Sequence, residues 1–280
     1  MALEPAMITS ATKLNRVWRL VMTGFCFALF GVGGLLLSVI WFNILLLLQR
    51  NPHTRRRLAR RSIAVSFRFF LNTARWLGVM DYRIEGADIL RQERGTLIVA
   101  NHPTLIDYVI LASVMPETDC LVKGALLRNP FVSGVIRAAD YLVNSQADEL
   151  LPACRERLAK GDTLLIFPEG TRSRPGEEIV LQRGAANIAV RCGRDLRIVT
   201  IHCSEHLLDK RSRWYDVPPR KPVFRITVQG RVDITQFYND ETQQEPALAA
   251  RQLNRYLACR LSQEHRPLAG FNDASALSGN

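Results

Sequence analysis

A chain of 280 residues with 48% hydrophobic residues is long enough to bury a core and too apolar to be disordered. Its 37 lysines and arginines against 26 acids leave a formal charge of +11, which points to anionic partners: nucleic acid, an acidic membrane surface or a phosphorylated substrate. Six scattered cysteines, without a C-x-x-C pair, argue against a disulfide scaffold and for reduced packing residues in a reducing compartment; no zinc site or other metal site is visible.

The chain opens on an asymmetry. From Leu20 to Gln49 it carries no charged residue. At about 1.5 Å per residue that run exceeds a hydrocarbon core of roughly 30 Å. It fits one long tilted helix, or an element bent or re-entrant at Gly31, Gly33 and Gly34, or the buried helix of a soluble domain. It is too long for a signal peptide and no small-residue cleavage site follows it. Lys13, Arg16 and Arg19 precede the run; Arg50, Arg55, Arg56, Arg57, Arg60 and Arg61 follow it. The larger cluster directs the remainder of the chain to the cytoplasmic face of an inner membrane. The cluster on the other side keeps a membrane hairpin open. Residues 1–61 are therefore read as a membrane-anchoring segment with basic flanks.

Over 62–81, Ile63, Phe67, Phe70, Leu71, Ala74 and Leu77 recur at helical spacing with Arg68 and Arg75 among them. Such a helix suits the membrane interface or the surface of a domain core. From residue 82 short apolar runs alternate with helical patterns: TLIVA (96–100), DCLVKG (119–124), DTLLIF (162–167), LRIVTIHC (196–203) and VFRITVQG (223–230), with helices expected over 147–161, 184–193 and 245–264. This alternation predicts an α/β domain over 82–266, a mostly parallel sheet flanked by helices. Residues 267–280 read as a flexible tail.

Two stretches at strand ends carry chemistry. In NHPTLID (101–107) the plain reading is a loop and helix start, with Thr104 as N-cap and Asp107 as first-turn carboxylate. The chemical reading lets Asp107 reach back to one nitrogen of His102, fixing the tautomer and leaving the other as a base. This is two-thirds of a Ser-His-Asp triad, with the attacking hydroxyl left to a substrate. In FPEGTRS (167–173) the plain reading is a solvated turn. Against it, Gly170 permits close backbone approach, Thr171, Arg172 and Ser173 offer donors to a phosphate, and Glu169 is placed to hold Arg172 or to accept from a substrate hydroxyl.

Together, H-x-x-x-x-D and F-P-E-G-T-R-S behind a membrane-seeking N-terminus resemble the glycerolipid acyltransferases, in particular the bacterial 1-acylglycerol-3-phosphate acyltransferase-like proteins. The resemblance implies an α/β acyltransferase that moves an acyl group from acyl-CoA or acyl-carrier protein to the hydroxyl of a lysolipid, without bound cofactor or metal. It implies His102 as general base, Asp107 as its orienting partner, and Glu169, Gly170, Thr171 and Arg172 as the phosphate-recognition block. Lys123, in VKGALLRNPF (122–131), matches a position where a cation would stabilise the oxyanion; a solvated strand-end lysine is the alternative. Arg183 before the helix at Gly184, with Asn101 and Thr104 beside His102, completes the expected substrate-binding set. Three positions depart from the family pattern: Asn144 stands where an arginine for the acceptor phosphate is common, Thr200 where proline is usual, and Thr104 where serine is common. The acceptor is thus the open question, with another lysolipid or a glycolipid as rival, and a non-catalytic lipid-binding relative as a second. Expected partners are the lysolipid, the acyl donor and anionic membrane lipids. Nucleic acid is not expected, because the basic run lacks interleaved aromatics.

Overall fold

The structure, a computed structural model, describes residues 5–144, 147–173, 177, 179–238 and 245–263. Helix α1 (Pro5–Leu36) runs through a π-helical turn (Leu37–Trp41) into α2 (Phe42–Leu48) without a break. The three glycines do not interrupt it, so a re-entrant turn at Gly31–Gly34 is not what forms. After Gln49, α3 (Pro52–Trp76) starts with Pro52 in its first turn and the Asn51 side chain accepting from the backbone N–H groups of His53 and Thr54. The boundary drawn at 61/62 therefore falls inside one helix.

The remaining elements follow as β1 (Asp81–Glu85), α4 (Ala87–Gln92), β2 (Leu97–Ala100), α5 (Asp107–Val114), β3 (Thr118–Lys123), a 3-10 turn (Gly124–Arg128), α6 (Pro130–Ala139), β4 (Leu142–Asn144), α7 (Ala147–Ala159), β5 (Thr163–Ile166), α8 (Gly184–Cys192), β6 (Leu196–Cys203), β7 (Val223–Val232), a second 3-10 turn (Ile234–Phe237) and α9 (Pro246–Gln263). The strands form one sheet in the order β1-β7-β6-β2-β5-β3-β4, parallel throughout except for the antiparallel pair β6–β7. A mostly parallel sheet flanked by helices is the expected class. The sequence runs had not marked β1, whose residues DYRIE are half polar, or the three-residue β4.

Strand alternation builds two cores. Leu97 and Val99 face one layer, with Leu158 of α7, Ala186 and Ala189 of α8, and Leu253 and Leu257 of α9. Ile98 and Ala100 face the other, with Leu71 and Ala74 of α3 and Ile110 and Leu111 of α5. Helix α3 is thus a core helix along its Ile63–Ala64 and Leu71–Ala74 face, while Phe69 and Trp76 stay exposed. Its Arg60 is buried and ion-paired to Asp119 at 2.7 Å, donating also to the carbonyls of Ala139 and Glu117.

The long apolar helix lies along this second face. At one end Trp18 Nε1 donates to the carbonyl of Leu77 and Phe27 meets Trp214; at the other, Phe42 and Leu45 cluster with Ala59 and Ile63 of α3 and with Ala138 and Ala139 of α6. Gly134 of α6 makes this contact possible: a Cβ there would stand 2.5 Å from the carbonyl oxygen of Ser38. Val17, Val21, Phe25, Val32, Leu36 and Val39 form the face turned away, and only 17% of the most apolar window is buried.

Candidate active site

Both motifs leave the sheet at its carboxyl edge. β2 and β5 are neighbours in the register Leu97↔Leu164 to Val99↔Ile166, so Asn101 and Phe167 emerge side by side, and the separation in sequence disappears. A crevice outside the carboxyl ends of parallel strands is the usual ligand position in an open α/β sheet.

Asn101 does not face that crevice. Its amino group donates to the carbonyl of Ile201 at 2.8 Å and its oxygen accepts from the Ile201 N–H at 2.7 Å, so it fastens the loop to β6. The substrate-binding role expected for Asn101 is corrected accordingly: a buried amide already paired on both sides has little left for a ligand. His102 follows, with Nδ1 2.9 Å from Asp107 Oδ2 and its ring stacked on Phe167 at 4.4 Å between centroids. Because the acceptor is a carboxylate, Nδ1 carries the proton and Nε2 is the free nitrogen.

Asp107 opens α5 and is fully buried. Thr104 encloses its carboxylate, donating from N to Oδ2 at 2.6 Å and from Oγ1 to Oδ1 at 2.5 Å. Thr104 is therefore not the N-cap, a position held by Ile106, and its hydroxyl is spent on Asp107 instead of a substrate. Burial raises the Asp107 carboxyl above its ordinary value, while the bonds from His102 and Thr104 oppose the rise.

Glu169 ties the two motifs together. One carboxylate oxygen accepts from the His102 backbone N–H at 2.8 Å and the other from the Ser173 hydroxyl, while the Ser173 N–H donates to the His102 carbonyl at 2.8 Å. Two earlier expectations change here. Glu169 does not hold Arg172, and Ser173 is turned inward instead of toward a phosphate. Arg172 Nη1 donates to the carbonyls of Leu208 and Asp209 at 2.9 and 2.8 Å, leaving Nε and Nη2 for other partners. Gly170 has φ +67°, the left-handed region that glycine adopts without a Cβ penalty, and Gln182 lies beside it. Thr171 and Arg183 are exposed, Arg183 directly before α8. Lys123 and Asn144 are register partners at the ends of β3 and β4, on the same edge of the sheet; their side chains fall outside the described residues. No group of three or more His, Cys, Asp or Glu suited to a metal occurs among the described residues. Surface cavities of about 160 and 220 Å³ are lined by Glu117 and Asp162 at the opposite end of the sheet and take no part in this site.

Residues 81–204 match the family model described as Acyltransferase. A 1-acyl-sn-glycerol-3-phosphate acyltransferase of Helicobacter pylori is 35% identical over 100 residues, covering 33% of this chain and 42% of that protein. One of Borreliella burgdorferi is 24% identical over 191 residues, covering 63% and 76%. Residues 81–204 are thus similar to the acyltransferases, and to these 1-acyl-sn-glycerol-3-phosphate acyltransferases among them. The crystal structure of the 1-acyl-sn-glycerophosphate acyltransferase PlsC of Thermotoga maritima superposes with a TM-score of 0.67 at 21% identity, over 91% of this chain and 99% of that one, and so shares the fold.

At this site, sequence reasoning missed the supporting residues. Phe167 stood in the quoted motif, and its hydrophobic side chain next to the base was the available signal. Ile201 and Leu208 gave none, because they act through backbone groups that any residue supplies.

Proposed function

We propose that this protein is a membrane-associated O-acyltransferase that acylates the free hydroxyl of a lysophospholipid such as 1-acylglycerol-3-phosphate, using an acyl thioester carried by coenzyme A or acyl-carrier protein. The observation that carries the reading is the His102–Asp107 pair at 2.9 Å, held at the sheet edge by Glu169. His102 Nε2 takes the acceptor proton as the oxygen attacks the thioester carbonyl; the tetrahedral adduct collapses, the C–S bond breaks, and the thiol leaves with the proton returned by His102. Asp107 stabilises the imidazolium that forms between these events. Lys123 is the candidate for the oxyanion, and Arg172 with the Gly170–Thr171 backbone for the acceptor phosphate. No cofactor or metal enters this chemistry.

The apolar helix supplies the membrane seat. Docked along its length on α3 and α6, it presents its exposed face to lipid, with the catalytic domain beside the cytoplasmic leaflet. Asn144, in place of the family's arginine, favours a second reading in which the same chemistry serves another lysolipid or a glycolipid.

The test offers labelled acyl-CoA and acyl-carrier protein, with a panel of lysolipids, to wild type and to His102→Ala. Transfer to lysophosphatidic acid by wild type and none by the variant supports the reading. Binding of lysolipids by both without transfer would leave a lipid-binding relative.

A further inference from the structure

We propose that the β6–β7 loop, residues 204–222, is a second lipid contact that seats Trp214 and Tyr215 in the headgroup region of an anionic bilayer. The loop is bolted to the apolar helix. The Trp214 ring lies 3.5 Å from the position of a Cβ on Gly24 and 6.1 Å, between centroids, from Phe27, and Arg19 Nη2 donates to the Pro219 carbonyl at 2.6 Å. Trp214 and Tyr215 nevertheless remain 50% and 43% exposed, next to the exposed Trp18, Val21 and Phe25 of α1. An exposed tryptophan–tyrosine pair that extends the apolar face of a membrane-seeking helix has the amphipathic character favoured at the membrane–water interface.

Charge selects the occupant. Lys210, Arg213 and Arg220 of the loop are exposed, and Lys13 and Arg16 of α1 are exposed on the neighbouring helix end. Of the loop's acids, Asp209 is buried and accepts from the N–H groups of Arg211 and Ser212, while the exposed Asp216 accepts from that of Arg213, so the basic side chains outnumber the acids on the open face. Basic side chains around an aromatic wedge, continuous with a lipid-facing helix, fit anionic phospholipid better than a soluble acidic protein.

The same loop reaches the site. Leu208, at φ +51°, sits in a conformation that a leucine rarely adopts, and its carbonyl accepts from both Arg172 and the Leu105 N–H, one residue from each motif. A loop held by lipid at Trp214 holds Arg172 from the other end. This consequence rests on the lysolipid acyltransferase reading; the lipid contact does not.

The experiment uses the full chain with Trp18, Trp41 and Trp76 each replaced by Phe, leaving Trp214 as the reporter. Vesicles of phosphatidylcholine, with or without phosphatidylglycerol and carrying brominated acyl chains, are added. Trp214 emission should shift to the blue and be quenched at least twofold, more strongly with phosphatidylglycerol. Lys210→Glu with Arg220→Glu should reduce that partitioning several-fold with unchanged circular dichroism, and should raise the KM for vesicle-borne lysophosphatidic acid several-fold while kcat holds. Trp214 emission that stays unchanged while the protein co-sediments with vesicles overturns the proposal, as does a shift produced only by acyl-carrier protein. Quenching without any acyl transfer by wild type would keep the lipid contact and remove the proposed function instead.

Discussion

At the residue scale the site depends on a buried carboxylate whose hydrogen-bonding capacity is filled from within. Asp107 accepts from His102 and twice from Thr104, and burial alone would favour its neutral form. Asp107→Asn can present an N–H to His102 Nδ1 and reverse the imidazole tautomer, leaving no base toward the substrate. Its kcat should fall on the order of 10³- to 10⁴-fold. The NH2 that meets His102 also faces the Thr104 N–H, which Oδ2 accepts from in the wild type, so about 1–3 kcal/mol of stability should be lost as well, and a thermal melt beside the activity assay separates that loss from the chemistry. Glu169 works differently. Glu169→Ala orphans the His102 N–H and the Ser173 hydroxyl, which costs about 1–3 kcal/mol of stability and frees the His102 loop. Activity should drop while tightness for an acyl-donor analogue is kept, and a donor titration of the variant reads this out.

At the element scale, α3 is fixed to the sheet by the Arg60–Asp119 pair, which is 3% and 0% exposed at the side chains. Burial pushes the Asp119 carboxyl up to about 6, with Arg60 and the N–H groups of Leu142 and Cys120 pulling the other way. Arg60→Met leaves buried Asp119 with only the longer Arg157 contact at 3.7 Å and should cost up to about 3–5 kcal/mol near neutral pH. A carboxyl whose folded-state pKa is raised binds its proton more tightly folded than unfolded, so its ionisation removes stability as pH rises. Denaturant melts of Arg60→Met should therefore recover stability as pH falls from 7 through 6 toward 4. The pair Arg60→Met with Asp119→Leu should regain most of the loss at pH 7. Gly134 is the corresponding close point between α6 and the π turn. Gly134→Ala places a methyl against the Ser38 carbonyl and should cost about 1–3 kcal/mol, read from the same melts.

At the scale of the whole molecule, the apolar helix and the catalytic domain share cores. Cys26 belongs to the cluster of Leu71, Ile98 and Phe224, while Phe42 and Leu45 cover Ala59, Ala138 and Ala139. Removing residues 1–48 would uncover both patches, so the truncated chain should aggregate or bind a hydrophobic dye strongly instead of folding as a free soluble domain. Size-exclusion chromatography in and out of detergent checks this. A truncated protein that stays monomeric and active in buffer would show the helix to be an anchor only.

Some of this architecture was written plainly in the chain. Short apolar runs alternating with period-3.6 stretches named five of the seven described strands and the α/β class, because strands buried on both faces of a parallel sheet read as continuous apolar runs. The His-Asp spacing was equally legible, since a strand-end loop and the first turn of a helix lie within local reach. Tertiary structure decided the rest. Only the pairing of β2 with β5 puts Glu169 on the His102 N–H, and only the fold of the β6–β7 loop brings the Leu208 carbonyl to Arg172. It also decided that Asn101 and Ser173, which read as ligand donors, are spent holding the loops. Periodicity reports which face a residue occupies, but the partner of a polar atom depends on which distant backbone folds against it, and that is settled only when the chain packs.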